Sequence, residues 1–323
     1  MTPTGDAHLA TAAAVPAPRG AAPAVTEIDP GVVAQAADIA ERAAADRGLV
    51  VRELDSVADL DALALLFQRV WSAPNVDQVI NCATMRALVH VGNYVVGAYR
   101  SGELIGGSVA FFGLDGDGIV LHSHLAGVVP GGQGQGVGRV LKLHQRAWAL
   151  RRGIRRVTWT YDPLLSRNAY FNLQKLGGLP VAYEPDFYGV LDDGINTGDA
   201  TDRLVLLWEV DSPRAVAAAR GELTSPDAAA LRSAGATVLV DRTGDDPVSP
   251  DEGSPPSGPA LLVALPADIE AMRPSRPEVA AAWRYAVRDA LSAALAAGYR
   301  FDGFDRAGWY VLVSDERRSG QCD

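Results

Sequence analysis

The stretch VVPGGQGQGVGRVLK, residues 128–142, places five glycines within the eight positions 131–138. Glycine loses more backbone freedom on folding than any other residue. A run this dense therefore marks a place where the main chain turns tightly or must be approached closely. Before it lies GIVLHSHLAGVV (118–129), a strand pattern. After it, VGRVLKLHQRAWALRR (137–152) carries apolar residues at helical spacing and is closed by Gly153. A strand, a glycine turn and a helix start together make an anion site. The turn amides point inward, and the first helical turn adds unpaired donors and the positive end of its dipole.

Two familiar anion loops do not fit. A Walker loop needs Lys-Ser/Thr after its last glycine, and Gly138 is followed by Arg139 and Val140. The dinucleotide fingerprint Gly-x-Gly-x-x-Gly is absent from every register of Gly131, Gly132, Gly134, Gly136 and Gly138. Asp162, at the end of the next strand, stands where a ribose-binding acid would. Yet the loop follows three closely spaced hairpin strands, where a doubly wound fold would interpose helices.

Those strands are NYVVGAYR (93–100), ELIGGSVAFFGL (103–114) and the run from Gly118, separated by Ser-Gly and Asp-Gly turns. Upstream the pattern gives a helix over Asp29–Arg47, a strand over Leu49–Leu54 and helices over Asp59–Trp71 and Val76–Val89. Downstream come a strand, Ile154–Tyr161, a helix, Ser166–Leu176, and a strand, Asp202–Val210. Residues 1–28 read as a disordered lead, 29–210 as the main domain, and 211–323 as an extension or small subdomain of strand–helix–strand order. A mobile loop rich in Asp, Pro, Ser and Gly is expected at 241–259.

Composition removes several classes of function. A formal net charge of -10 argues against nucleic acid or an anionic membrane as the main partner. The basic run Arg146–Arg156 is either a solvated helix end or a neighbour of an anionic ligand. Cys82 and Cys322 stand far apart without His or Cys at ligand spacing, so neither a metal site nor a disulfide framework is expected and a cytoplasmic setting is the default. No apolar run is long enough for a bilayer.

QGQGVG (133–138), Gln-x-x-Gly-x-Gly between a strand and a helix, resembles the acyl-CoA loop of the GCN-five-related N-acetyltransferase (GNAT) superfamily. The resemblance runs from about Val50 to Tyr188 in element order as well as motif. WTYDPLLSRNAYFN (159–172) and the later TDR (201–203) resemble a branch of predicted acetyltransferases. It implies an α+β fold, a mixed and mostly antiparallel sheet flanked by helices. It also implies that the amides of Gln133, Gly134, Gln135, Gly136, Val137, Gly138 and Arg139 hold the pyrophosphate of acetyl-CoA or another acyl-CoA. Ala126, Gly127 and Val128 would pair with the pantetheine arm, and the same strand would offer an amide to the thioester carbonyl. Ser166 takes the place of a cofactor-contacting Asn, with Asn168 as the nearby substitute.

Amine acylation needs a group to take the ammonium proton and benefits from one that protonates the departing thiolate. HSH puts His122 and His124 on one face of the strand before the loop, since alternate residues share a face. His122 lies eleven residues before Gln133, the spacing of the basic carboxylate in the superfamily's histone-acetylating members. His122 is thus the first candidate for base, and His124 the second. The superfamily's acid, a Tyr four residues before the helix-ending glycine, is Leu173 here. Tyr170 is the substitute, with Tyr161 as another; either could be a core aromatic instead. Asp202 and Arg203 read as an ion pair, or Arg203 as a contact for a substrate carboxylate.

The leading expectation is an N-acyltransferase that moves acetyl from acetyl-CoA to the amine of a small molecule. The alternatives are a non-catalytic acyl-CoA-binding or sensing module, and acyl transfer to an oxygen or a carrier-protein thiol.

Overall fold

Pro30 presets the backbone of the first helix, and the Asp29 side chain accepts from the Gly31 amide at 2.7 Å. The structure, a computed structural model, describes residues 28–116, 118–132, 134–189, 200–250 and 256–314. The expected lead, apart from Ile28, lies outside these residues, as do Gln133 and Cys322.

Four elements, α1 (Pro30–Ala45), β1 (Leu49–Glu53), α2 (Val57–Val70) and α3 (Cys82–His90), lead into the hairpin strands β2 (Tyr94–Arg100), β3 (Glu103–Asp115) and β4 (Gly118–Val128). Then follow α4 (Val137–Arg151), β5 (Arg156–Tyr161), α5 (Ser166–Tyr170), β6 (Leu179–Glu184) and β7 (Arg203–Glu209). The strands form one sheet in the order β1-β2-β3-β4-β5-β7-β6. All neighbours are antiparallel except β4 and β5, so the sheet is mixed and mostly antiparallel, as the sequence implied.

Alternation along β2 places the two layers of helices. Tyr94, Val96 and Ala98 face a cluster that includes α1 and α4, whereas Val95 faces Leu60, Leu63 and Phe67 of α2. Each such buried Leu or Phe contributes about 1.5–3 kcal/mol through apolar area removed from water.

Two local departures matter for the site. The helix expected over Ser166–Leu176 stops at Tyr170 and continues as one π-helical segment, Phe171–Lys175. Strand β6 was hidden in the sequence because Pro180 reads against a strand. It forms because β6 is the sheet's edge, where proline's missing N–H is tolerated.

The remaining chain builds α6 (Pro213–Arg220), α7 (Ala228–Ser233), β8 (Thr237–Thr243), β9 (Asp246–Val248), β10 (Ala260–Ala264), α8 (Ile269–Ser275), α9 (Pro277–Ala296), β11 (Tyr299–Asp305) and β12 (Trp309–Ser314). Its strands form a second sheet, β11-β12-β10-β8-β9. Part of the loop expected at 241–259 is a hairpin, with Asp241 opposite Val248; residues 251–255 lie outside the described set. The two sheets share one hydrophobic cluster, which joins Leu204, Leu206 and Trp208 to Leu261, Tyr310 and Leu312. Among the described residues no helix is long and apolar enough to cross a membrane.

Candidate active site

The parallel contact between β4 and β5 is short. Leu121 lies opposite Val157 and His122 opposite Thr158, and no further pair joins the two strands among the described residues. Beyond that point β4 remains paired with β3 through Val128, and β5 with β7 through Tyr161. The strands therefore splay, and a cleft of about 690 Å³ opens between them. That is room for the reactive end of a cofactor-sized ligand and a small partner.

The edge of β4 forms one wall, with His122, Ser123, His124, Leu125 and Ala126 all lining the cleft. Strict alternation would have shown only every second residue. The register with β3 skips a residue, because Val109 faces Leu125 and Ala110 faces Ser123, so His124 is the extra residue of a β-bulge. A bulge leaves that residue outside the ladder and re-aims its side chain. Both histidines thus reach the cleft by a route different from the simple one-face argument. Gly127 is backed by Trp71 and Val70; a Cβ there would sit 3.1 Å from both side chains.

His122 is half-buried, with Nδ1 3.2 Å from Thr158 Oγ1. Burial, with His124 and Lys142 nearby, lowers its pKa to about 4. Its imidazole is therefore neutral at pH 7 and able to accept a proton. The two rings lie 6.2 Å apart, each against Phe111.

The glycine loop leads into α4. Gly131, Gly134 and Gly136 all take left-handed backbone angles, and Gly136 is the N-cap without a side-chain cap. The first helical bond runs from the Val140 amide to the Gly136 carbonyl at 3.1 Å, so the amides of Val137, Gly138 and Arg139 precede the helical ladder. Gln135 is tied to the loop, donating to the Gly131 carbonyl at 2.9 Å while accepting from Arg100 at 2.5 Å. A Cβ on Gly136 would strike the Arg47 side chain. Arg139 donates to the Ala219 carbonyl at 2.7 Å, at the end of α6; burial and then the Arg47 charge lower its pKa. Three arginines thus gather at the loop. Arg47 and Arg100 were not foreseen, since they come from the chain after α1 and the end of β2 and only folding brings them to α4.

Lys142 was also missed. It sits on the second turn of α4, lines the cleft, and is only 6% exposed. Its Nζ donates to Ser123 Oγ at 2.8 Å and Gln145 Oε1 at 3.0 Å, and lies 3.7 Å from the Trp159 ring centroid. Burial pushes its pKa down to about 7. The sequence carried no signal for it, because Lys142 stands in a helix that also holds Arg139, His144, Gln145 and Arg146, and only packing shows which of them are buried.

On the opposite wall, Leu165, Asn168, Phe171 and Asn172 line the cleft. Ser166 and Tyr170 do not. Ser166 Oγ points to the Pro266 carbonyl at 3.5 Å, and the Tyr170 ring lies near Lys175 and Arg306. They share the helix face one turn apart that packs on the second sheet, while Asn168 and Asn172 share the cleft face. Tyr161 does line the cleft, but its hydroxyl contacts Tyr310 at 3.3 Å and burial raises its pKa above the usual range. Tyr188 supplies a more exposed phenol, 3.2 Å from Thr160 Oγ1.

The ion pair expected between Asp202 and Arg203 does not form. Asp202, 0% exposed, accepts from Arg288 Nε at 2.9 Å and Tyr183 Oη at 2.6 Å. The basic run is not a ligand surface either: Arg146 donates to the Val210 carbonyl, Arg155 pairs with Asp211, and Arg156 with Asp115. Among the described residues no cluster of three or more His, Cys, Asp or Glu could hold a metal ion.

No family model matches the sequence, and no curated protein matches it. Among solved structures, the chain is similar to the ribosomal-protein-S18-alanine N-acetyltransferase from Escherichia coli, at 17% identity over 50% of this chain and 94% of that one, TM-score 0.41. It is similar to an acetyltransferase of the GNAT family from Streptococcus pneumoniae, at 15% identity over 49% and 98%, TM-score 0.41. The likeness is to acetyltransferases. A Salmonella typhimurium protein solved with its cofactor acetyl-CoA is similar at 20% identity over 56% and 98%, TM-score 0.42. Likeness at this level adds nothing to the strand order and the splay, which stand on this chain's own geometry. About half of the chain lies outside the first two of these likenesses.

Proposed function

We propose that the protein is an acyl-CoA-dependent N-acyltransferase, moving acetyl from acetyl-CoA to the amine of a small molecule. The observation that carries this reading is the splay of β4 from β5 beside a helix start with no side-chain cap. A pantetheine arm needs an open strand edge and a diphosphate needs amide donors, and the fold supplies both in the order strand, loop, helix. The amides of Gly134 to Arg139 would hold the pyrophosphate, with the Arg47 and Arg100 charges close by. The β4 edge at Ala126, Gly127 and Val128 would pair with pantetheine, and Asn168 would face it from α5.

In the reaction the neutral amine attacks the thioester carbonyl carbon, a C–N bond forms, and the C–S bond breaks. The amine loses one proton, and His122 is the acceptor of that proton in this reading, with His124 beside it. The thiolate of CoA gains a proton from water or from the Tyr188 phenol. An amide of the β4 edge would stabilise the oxyanion as it develops.

Lys142 supports a second assignment of the base. A base works best when its pKa lies near the working pH, and Lys142 at about 7 meets that condition better than His122 at about 4. Its lone pair would be reached through Ser123 Oγ.

The test is release of the CoA thiol from acetyl-CoA with a panel of amines. Amine-dependent release is expected. Retention of acetyl-CoA with no release across amines, alcohols and carrier proteins would instead make the protein a binding module.

A further inference from the structure

Arg203 opens β7 and lines the cleft. One terminal nitrogen donates to the carbonyl of Asp202 at 2.8 Å, and the guanidinium carbon lies 5.2 Å from the Tyr188 ring centroid. A guanidinium carries five donors in a planar fork, and one carbonyl occupies one of them. Glu184 stands opposite Arg203 in the β6–β7 register without an ion pair to it, and the two other carboxylates close by are committed elsewhere. Asp202 is held by Arg288 and Tyr183; Asp162 is held by Arg284 and Arg273. Among the described residues no carboxylate pairs with Arg203 itself.

A cation in this position loses hydration, and burial lowers its pKa more than the charge of the nearby Asp162 raises it. The cleft as a whole leans the same way. Among the described residues Asp162 is the one acidic side chain lining it, whereas Lys142, Arg203 and Arg273 are basic. An acceptor with several positive charges would meet these groups with no carboxylate to answer it.

We infer that the acceptor is an amine that also carries a carboxylate, and that Arg203 binds this carboxylate through the donors left unoccupied by the described residues while the amine faces the acyl carbon. Arg fits the task because two of its N–H groups can meet the two oxygens of one carboxylate. Tyr188, stacked beside the guanidinium, limits its swing and leaves the fork's edge to the ligand. The inference rests on the transferase reading and adds the acceptor's chemical class to it.

The experiment uses the full chain with acetyl-CoA and matched acceptors, amino acids set beside their own carboxamides, and follows thiol release. The expected kcat/KM is about 10–100-fold higher for the carboxylated partner of each pair, as a charge-assisted contact of this kind gives. In Arg203→Gln that ratio falls to near one, chiefly through KM for the carboxylated amine, and Arg203→Lys restores part of it. Thermal unfolding of each variant shows whether it is folded, and the ratio in the unaltered protein stands without any variant. Amines turned over without regard to the carboxylate, or a ratio that survives Arg203→Gln, overturn the inference and leave the transferase reading standing. Thiol release with no amine at all overturns both.

Discussion

The Arg284 guanidinium grips the Asp162 carboxylate with two nitrogens at 2.8 and 3.1 Å, across 122 positions of sequence. Asp162 directly follows β5 and lines the cleft; Arg284 belongs to α9 and is 1% exposed. The second sheet's helices therefore fix one wall of the site. Arg273 of α8 joins the same carboxylate and lines the cleft itself, and Arg288 of α9 does for Asp202 what Arg284 does for Asp162.

Removing the carboxylate should be costly. Asp162→Asn leaves Arg284 buried without its counter-charge, a loss of about 3–5 kcal/mol in denaturant unfolding. Burial alone would raise the Asp162 pKa, but the charges of Arg284 and Arg273 outweigh it and hold the carboxyl well below its usual range. That contribution to stability is present above the unfolded carboxylate pKa near ~3.9 and fades as pH falls below it. Unfolding of wild type and variant should accordingly converge at strongly acid pH; a constant gap down to that pH would rule out the charge as the cause.

Much of the first sheet was legible because it depends on local pattern. Strand alternation in β2 to β4, the Ser-Gly turn and the glycine loop before α4 each act within a few residues. What escaped the sequence depends on partners far along the chain. The bulge at His124 exists only in register with Val109 and Ala110 of β3. Ser166 and Tyr170 face the second sheet's side because of where α5 docks, a choice that helical periodicity cannot show. Asp202 took Arg288 rather than its neighbour Arg203, because α9 supplies a better-placed fork.

Tyr170→Phe should leave turnover within about twofold of the unaltered protein, since its ring faces Lys175 and Arg306 rather than the cleft. A hundredfold loss of kcat would return the phenol to the chemistry.

His122→Ala should lower kcat by about 10²-fold, the usual worth of a positioned base, while acetyl-CoA still binds. In the unaltered protein the acid limb of the kcat profile should fall near 4, where His122 takes up a proton. An acid limb near 7 that persists in the variant would transfer the role to Lys142.

Lys142 should reveal itself through stability as well. Its folded pKa of about 7 lies below the ordinary lysine value of 10.5, so between these two pH values the unfolded chain binds more protons and the free energy of unfolding rises with pH. Relative to Lys142→Met, wild type should therefore gain stability as pH rises through this window. A flat difference from pH 7 to 10 would show that Lys142 stays charged in the folded protein.

The pyrophosphate cradle is tested most directly by calorimetric titration of the full chain with acetyl-CoA, beside Gly136→Asp. The variant's carboxylate would lie against Arg47 and repel a diphosphate at the start of α4, a like-charge contact that costs several kcal/mol. Saturable binding to wild type and affinity at least ~100-fold weaker in the variant are the expected result. Equal affinity in the two proteins, or no binding to either while both are folded, would contradict it.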